Sequence, residues 1–65
     1  MMRIEVELWS TAPEALESVR RKLMDLPGDP HYLEEEDGRW FLVGSSFTLF
    51  ACEHQGYVKR IMETV

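Results

Sequence analysis

Two side chains that commonly bind metals stand close together in the sequence, at Cys52 and His54. A step of two residues along a helix rotates the side chain by about 200°, so these two point away from each other and need further ligands from elsewhere to hold a metal. We therefore expect no metal site and no cofactor. Cys52 is expected to be a small buried apolar residue, and His54 a polar cap on the helix face.

An acidic run, Glu34-Glu35-Glu36, could in principle supply general acid and base groups. Consecutive side chains on a strand alternate between its two faces, so these carboxyls do not converge as a catalytic pair would. His31 has no serine or cysteine nucleophile at a recognisable spacing, and we expect it to open a strand after Pro30. These residues predict that the chain is not an enzyme by itself.

The same acidic run forms the first strand of a predicted β-hairpin. Asp37-Gly38 suits the positive φ angles of a type I′ turn. The second strand, Arg39 to Gly44, is apolar on both faces, which predicts that it lies in the middle of a sheet. The pattern leaves open which face of the hairpin is buried. A turn at this place sets the register Glu36 to Arg39, Glu35 to Trp40, Glu34 to Phe41, Leu33 to Leu42 and Tyr32 to Val43.

Two further elements precede the hairpin. Residues 3 to 9 alternate in polarity, with Ile4, Val6 and Leu8 on one face, which predicts a half-buried strand. A capping-box pattern, Thr11-Ala-Pro-Glu14, then predicts the start of a helix in which Glu17 can pair with Arg21. Pro27-Gly28 and Pro30 are expected to end this helix. Its apolar stripe consists of Ala12, Leu16, Val19, Leu23 and Leu26.

The chain after Gly44 has two interpretations. Ser45-Ser46 can cap a second helix that ends at Gly56, followed by a final strand over residues 57–65. Alternatively, one helix continues to the C-terminus, since Gly56 would cost it only about 1 kcal/mol. We favour the strand, because Tyr57, Val58 and Ile61 are strand formers and the βαββαβ order is recurrent. The residues expected to share a face of the second helix are Phe47, Phe50, Ala51 and His54.

Composition limits the class of protein. Sixty-five residues predict a single domain over 1–65, and a net charge of −5 argues against direct binding to nucleic acid or to an anionic membrane. One cysteine excludes an internal disulfide and is typical of a reducing compartment. The charged, alternating start of the chain indicates neither a signal peptide nor a membrane span. We expect a cytoplasmic protein.

The order of these elements resembles the ferredoxin-like fold. The segments that carry the resemblance are IEVEL, EALESVRRKLM, YLEEE, RWFLV, a helix over 47–55 and YVKRI. It implies an α+β domain with a four-stranded antiparallel sheet and two helices on one face, with βαββα and a long C-terminal helix as the alternative. Members that carry metals have paired cysteines in the first loop, and RNA-binding members have basic and aromatic strands. In this chain the first loop is Ser10-Thr11-Ala12, and the first strand carries the acids Glu5 and Glu7, so neither activity is implied.

Two helices on one face would leave the other face of the sheet uncovered. That face would keep Glu5, Glu7 and Trp9 with one apolar set from the central strand. An apolar patch with an acidic rim is typical of a surface that docks a basic partner, such as a cleft that holds nucleic acid. The predicted function is an inhibitor that occupies such a cleft in place of phosphates. The candidate partner-binding residues are Glu5, Glu7, Trp9, Glu34, Glu35, Glu36, Asp37 and Trp40.

In size, in the acidic hairpin LEEEDG and in its lack of a catalytic motif, the chain resembles phage-encoded inhibitors of the anti-CRISPR type. Some of these have ferredoxin-like folds and mimic DNA. The resemblance implies binding to a Cas effector subunit in the host cytoplasm, as a monomer or weak homodimer. Two alternatives stay open. One is a small-ligand regulatory module that dimerises through the open sheet face, and the other is an accessory subunit whose partner covers that face.

Overall fold

The fold is a single antiparallel sheet with two helices. The computed structural model describes residues 2–27 and 31–62, and the side chains at positions 46 and 47 lie outside that description. The strands follow the spatial order β2-β3-β1-β4. The predicted α+β class and ferredoxin-like layout are thereby confirmed. The elements are β1 (Met2–Glu7), α1 (Pro13–Met24), β2 (Tyr32–Glu36), β3 (Arg39–Gly44), α2 (Ser46–His54) and β4 (Arg60–Ile61).

The hairpin of β2 and β3 has the predicted register at every pair from Tyr32–Val43 to Glu36–Arg39. Asp37 and Gly38 both have positive φ angles, 53° and 77°, as a type I′ turn requires. β3 also pairs with β1, so its predicted central place in the sheet is confirmed. A strand with neighbours on both sides and apolar residues on both faces is the most enclosed part of the molecule.

The core lies between the helices and one face of the sheet. Ile4 and Val6 of β1 are buried there, as predicted, and Leu33 and Leu42 identify the buried face of the hairpin. Cys52 is fully buried, as predicted, and this burial raises the pKa of its thiol above the ordinary value. The remaining buried members of the cluster are Leu23, Leu49 and Val58.

The predicted capping box of α1 is wrong. The N-cap is Ala12, which has no side-chain cap, and the nearest side-chain bond is from the Ala12 N–H to Ser10 Oγ at 3.1 Å. The cause is Pro13, because a residue before proline is held in the extended region, and Ala12 has φ −61° and ψ 144°. The helix therefore starts one residue too late for Thr11 to cap it. The predicted Glu17–Arg21 pair is confirmed, at 2.9 Å.

α1 ends at Met24, before Pro27, while the predicted stop residues Gly28 and Pro30 lie outside the described residues. α2 begins as predicted, with Ser45 Oγ accepting from the Thr48 N–H, and Gly56 follows its end with φ 79°. The alternative of one long C-terminal helix is therefore wrong. A final strand is present, as predicted, but it spans only two residues, Arg60–Ile61, instead of 57–65. Positions 63–65 of the prediction lie outside the described residues.

The face expected to carry Phe47, Phe50, Ala51 and His54 is not the face that α2 buries. Leu49 and Cys52 are buried against the sheet, whereas Phe50 is 53% exposed and His54 is exposed. Phe47 cannot be compared, since its side chain lies outside the described residues. Apolar residues occur on several sides of this helix, so periodicity alone does not select the side that the sheet will cover.

Candidate functional site

The open sheet face is the side of the sheet away from both helices. It carries Arg3, Glu5 and Glu7 of β1, Tyr32, Glu34 and Glu36 of β2, and Arg39, Phe41 and Val43 of β3. None of the described helices covers it. Phe41 and Val43 are nevertheless buried. The Arg3 guanidinium carbon lies 3.7 Å from the centroid of the Phe41 ring, and that of Arg39 lies 5.5 Å from it. Arginine side chains of the chain itself therefore shield much of the apolar centre.

The acids of the open sheet face are paired with bases. Arg3 binds Glu34 at 2.8 Å and also reaches Glu36, while Arg39 Nη2 lies 2.6 Å from Glu5 Oε1. Arg39 was expected to pair with Glu36 beside the turn, but its guanidinium reaches across to β1 instead. On this face the acids Glu5, Glu7, Glu34 and Glu36 are matched by the bases Arg3, Arg39, Lys59 and Arg60.

The pairing lowers the pKa of two of these acids. The hydrogen bond from Arg39 holds the pKa of Glu5 below its ordinary value, against a smaller opposing effect of desolvation. The hydrogen bond from Arg60, at 2.7 Å, lowers the pKa of Glu7 in the same way, and Lys59 adds to it at 3.5 Å. Both carboxylates are ionised at neutral pH, but an incoming partner would have to compete with arginine for them.

The hairpin tip differs from the open sheet face. Glu35 lies on the side of the sheet that faces the helices, and its Oε2 accepts from the Gly38 N–H at 3.3 Å. Asp37 lies in the turn. Among the described residues neither Glu35 nor Asp37 forms an ion pair. Of the acids of the hairpin, the two that form no ion pair are therefore at its tip.

The two candidate tryptophans are not part of the open sheet face. Trp40 is half-buried and packs against the core from the helix side. β1 ends at Glu7, two residues earlier than predicted, so Trp9 lies beyond the strand. Its indole Nε1 donates to the Gly56 carbonyl at 3.1 Å, and the side chain stays 66% exposed. The structure thus brings together Glu5, Glu7, Glu34 and Glu36, and separates them from both tryptophans.

The edge of the sheet at β2 borders a cavity of about 180 Å³ between α1 and the start of β2. Its lining is mainly apolar, and two side chains near it are exposed, Met24 at 81% and Tyr32 at 44%. His31 lies against Gly44 so closely that a Cβ at Gly44 would overlap the imidazole. Within the described residues His31 Nε2 is buried and lacks a hydrogen-bond partner. The lining residues are Arg20, Leu23, Met24, His31, Tyr32 and Leu33.

The opposite edge, β4, is short and closed. Its neighbour β1 accepts from the Lys59 and Met62 N–H groups through the Glu7 and Glu5 carbonyls. The Ile61 N–H points away from β1 and donates to Glu53 Oε2 of α2 at 2.6 Å. A side chain therefore satisfies the backbone donor that would otherwise face solvent at this edge.

Arg3, Arg39 and Arg60 were not among the residues predicted for this surface. Alternation along β1 places Arg3 on the same face as Glu5 and Glu7, so its position on this face could be predicted from the sequence. Its partners on β2 could not, because they depend on the order of the strands in the sheet. Met24 was missed because nothing local indicates that the helix end borders a cavity. The described residues contain no cluster of three or more side chains that could hold a metal ion.

Comparisons with models of known families, with curated proteins and with solved structures found no match. None of the helices in the described ranges is both long and apolar enough to cross a membrane.

Proposed function

We propose that this chain is a non-enzymatic protein-binding domain whose acidic hairpin recognises a basic surface. The partner class is a nucleic-acid-binding effector, with a CRISPR–Cas complex as the specific candidate, and the chain inhibits it by standing in for DNA phosphates. The site of action under this proposal is the host cytoplasm. The observation that carries the proposal is the pair of acids at the hairpin tip, Glu35 and Asp37, neither of which forms an ion pair among the described residues.

Charge at the end of a hairpin suits the recognition of a basic cleft. Asp37 lies in the two-residue turn and Glu35 in the second pair from it, so both are at the turn end of the hairpin. Glu34 and Glu36 share the single guanidinium of Arg3, which leaves the β2 strand acidic even where it is paired. Such a strand attracts basic partners over distance and increases the rate of association. The acids of β1, which are held by Arg39 and Arg60, have a supporting role.

Two double variants that each remove two negative charges test the proposal. Glu35→Gln combined with Asp37→Asn removes the tip charge, and asparagine tolerates the positive φ at position 37. The matched control is Glu14→Gln combined with Asp25→Asn, which removes the same charge from exposed places on and beside α1. We expect the tip variant to weaken inhibition of target-DNA cleavage by a purified Cas effector about tenfold, and the control to change it little.

Two results would reject this function. Cleavage that is unaffected by the unmodified chain would exclude inhibition of that effector. Equal inhibition by the tip variant and the control would exclude recognition through the hairpin. Binding should also weaken as salt rises, because an electrostatic interface at the surface is screened.

The open sheet face favours a second candidate function, a regulatory module or accessory subunit that dimerises through this face. The supporting observation is its balance of charge around Phe41 and Val43, since a surface with both signs can complement a copy of itself. The cavity of about 180 Å³ beside β2 would then be the place for a small ligand. Sedimentation equilibrium distinguishes the candidates, because a monomer at every concentration tested would exclude the dimer.

A further inference from the structure

The edge at β2 presents unpaired backbone groups in a known pattern. In a hairpin with a two-residue turn, the pair beside the turn is hydrogen-bonded, the next pair is not, and the two kinds of pair then alternate along the strands. Glu36–Arg39 is that first pair, so Leu33 and Glu35 belong to the non-bonded pairs. Their N–H and C=O groups therefore point away from β3. β2 has no neighbour on that side among the described residues, so these groups form a template for another strand.

The cavity between α1 and β2 lies beside this template. A strand added at β2 would place alternate side chains on the helix side, next to Leu33 and the exposed Met24. A cavity of about 150 Å³ is enough to hold a benzene-sized group. The space beside β2, about 180 Å³, can therefore receive one aliphatic or aromatic side chain.

Charge determines which strand the edge can accept. If β2 paired antiparallel with β2 of a second copy around Glu34, that glutamate would face itself and Glu36 would face Tyr32. Like charges directly opposite one another destabilise a sheet, so this register with a second copy is disfavoured. A strand with lysine or arginine at alternate positions would instead place each cation beside Glu34 or Glu36 on the open sheet face. The groups nearest this edge that would oppose it are Arg3 and Arg20.

We propose that the β2 edge binds an extended basic segment of a partner protein as a fifth strand, with one apolar side chain in the cavity beside Met24. This inference rests on the proposed function and specifies its mode of binding. Backbone hydrogen bonds from Leu33 and Glu35 supply affinity, and the cavity and the acids of β2 select the sequence. The β4 edge is unsuitable, because Glu53 already occupies the outward Ile61 N–H.

Hydrogen exchange with synthetic peptides tests the proposal on the full chain. The probe is the peptide acetyl-KVKLKVK-amide, which alternates cations with apolar residues. The controls are acetyl-EVELEVE-amide, which has the opposite charge, and acetyl-KVKPKVK-amide, which lacks the central N–H and the leucine side chain. We expect KVKLKVK to slow exchange of the Leu33 and Glu35 amides, which are the outward donors, and we expect the control peptides to leave them unchanged.

Two pairs of variants separate edge binding from simple attraction of charge. Glu35→Pro removes the outward N–H, and Glu35→Gln removes only the carboxylate, so we expect the proline variant to bind about fivefold more weakly than the glutamine variant. Met24→Gln makes the cavity more polar at an exposed site, with Met2→Gln as its control on β1. We expect only Met24→Gln to weaken binding, which keeps the test decisive if Glu35→Pro does not fold.

The outcomes distinguish the two proposals. KVKLKVK could bind and shift the resonances of Arg3 and Phe41 but leave amide exchange at Leu33 and Glu35 unchanged. That result would overturn the proposal of binding at the β2 edge and would retain the proposal that the chain recognises a basic partner. Equal binding by the Met24→Gln and Met2→Gln variants would likewise overturn the cavity as the site. Binding of EVELEVE as tight as that of KVKLKVK would overturn the charge argument of both proposals.

Discussion

The two edges of the sheet end in different ways. β4 has two residues, its outward N–H at Ile61 is bound by Glu53, and Glu7 joins it to β1 through Arg60 and Lys59. β2 has five residues and is attached by the hairpin and by the buried side chain of Leu33, while its outward backbone groups have no partner among the described residues.

The difference indicates how each edge avoids unwanted pairing. β4 is short and its donor is blocked by a side chain, which excludes strands of any sequence. β2 has no such block among the described residues, and its negative charge repels acidic strands but attracts basic ones. A protection that depends on charge is selective, and this is the physical basis for regarding β2 rather than β4 as the functional edge.

The largest effect is expected from the side chains that anchor the two edges. Leu33 of β2 is buried in the core, so Leu33→Ala should lower the free energy of unfolding by about 2–4 kcal/mol. Ile61 of β4 is only half-buried, so Ile61→Ala should cost about 1 kcal/mol. Urea unfolding monitored by circular dichroism measures both. Equal losses of unfolding free energy in the two variants would show that β4 is as firmly anchored as β2, and would contradict this difference between the two edges.

An intermediate effect is expected from the side chain that closes β4. Glu53→Ala leaves the Ile61 N–H without its protein partner and should lower the free energy of unfolding by about 1 kcal/mol. It should also speed exchange of the Ile61 amide. Glu53→Gln keeps an acceptor oxygen and should keep most of the protection. If the alanine variant exchanges at the original rate, Glu53 does not close the edge.

The smallest effect is expected from acid, which acts on the β4 edge through Glu7. Arg60 holds the folded-state pKa of Glu7 below the ordinary value of 4.5, so the stability from this pair is present above that pH. It is lost as the pH falls through the lowered folded-state pKa, when the folded state takes up the proton. The contribution is small because the pair is exposed. Urea unfolding from pH 7 to pH 2 should therefore show a slightly steeper acid loss for the unmodified chain than for Glu7→Gln, and parallel curves would contradict the assignment.

Local interactions explain the parts of the fold that the sequence predicted correctly. The register of the hairpin follows from Asp37-Gly38, because the turn sets which residues face each other. The second helix is capped by Ser45 and ends before Gly56 for the same reason, since caps act within one turn of the chain. The prediction of a capping box at Thr11 was wrong, also for a local reason. Pro13 holds the preceding Ala12 in the extended region, so the helix cannot begin directly after Thr11.

The candidate site was predicted only in part. Alternation placed Glu5 and Glu7 on one face of β1, and the hairpin placed Glu34 and Glu36 on one face of β2. No local pattern shows that these faces coincide, because β1 and β2 do not pair and are both neighbours of β3. The pairing of Arg3 with Glu34 and of Arg39 with Glu5 follows from that order of strands.

The amino-acid sequence by itself determined the elements, their order, the hairpin register and the excess of negative charge, because these depend on neighbouring residues and on composition. Only the tertiary structure decided which face of the hairpin is buried, why α2 buries Leu49 and Cys52 rather than Phe50, and which acids are neutralised by arginine. It also decided that β2 and β4 are the edges. These properties depend on contacts between segments far apart in the chain, where packing and charge pairing act together.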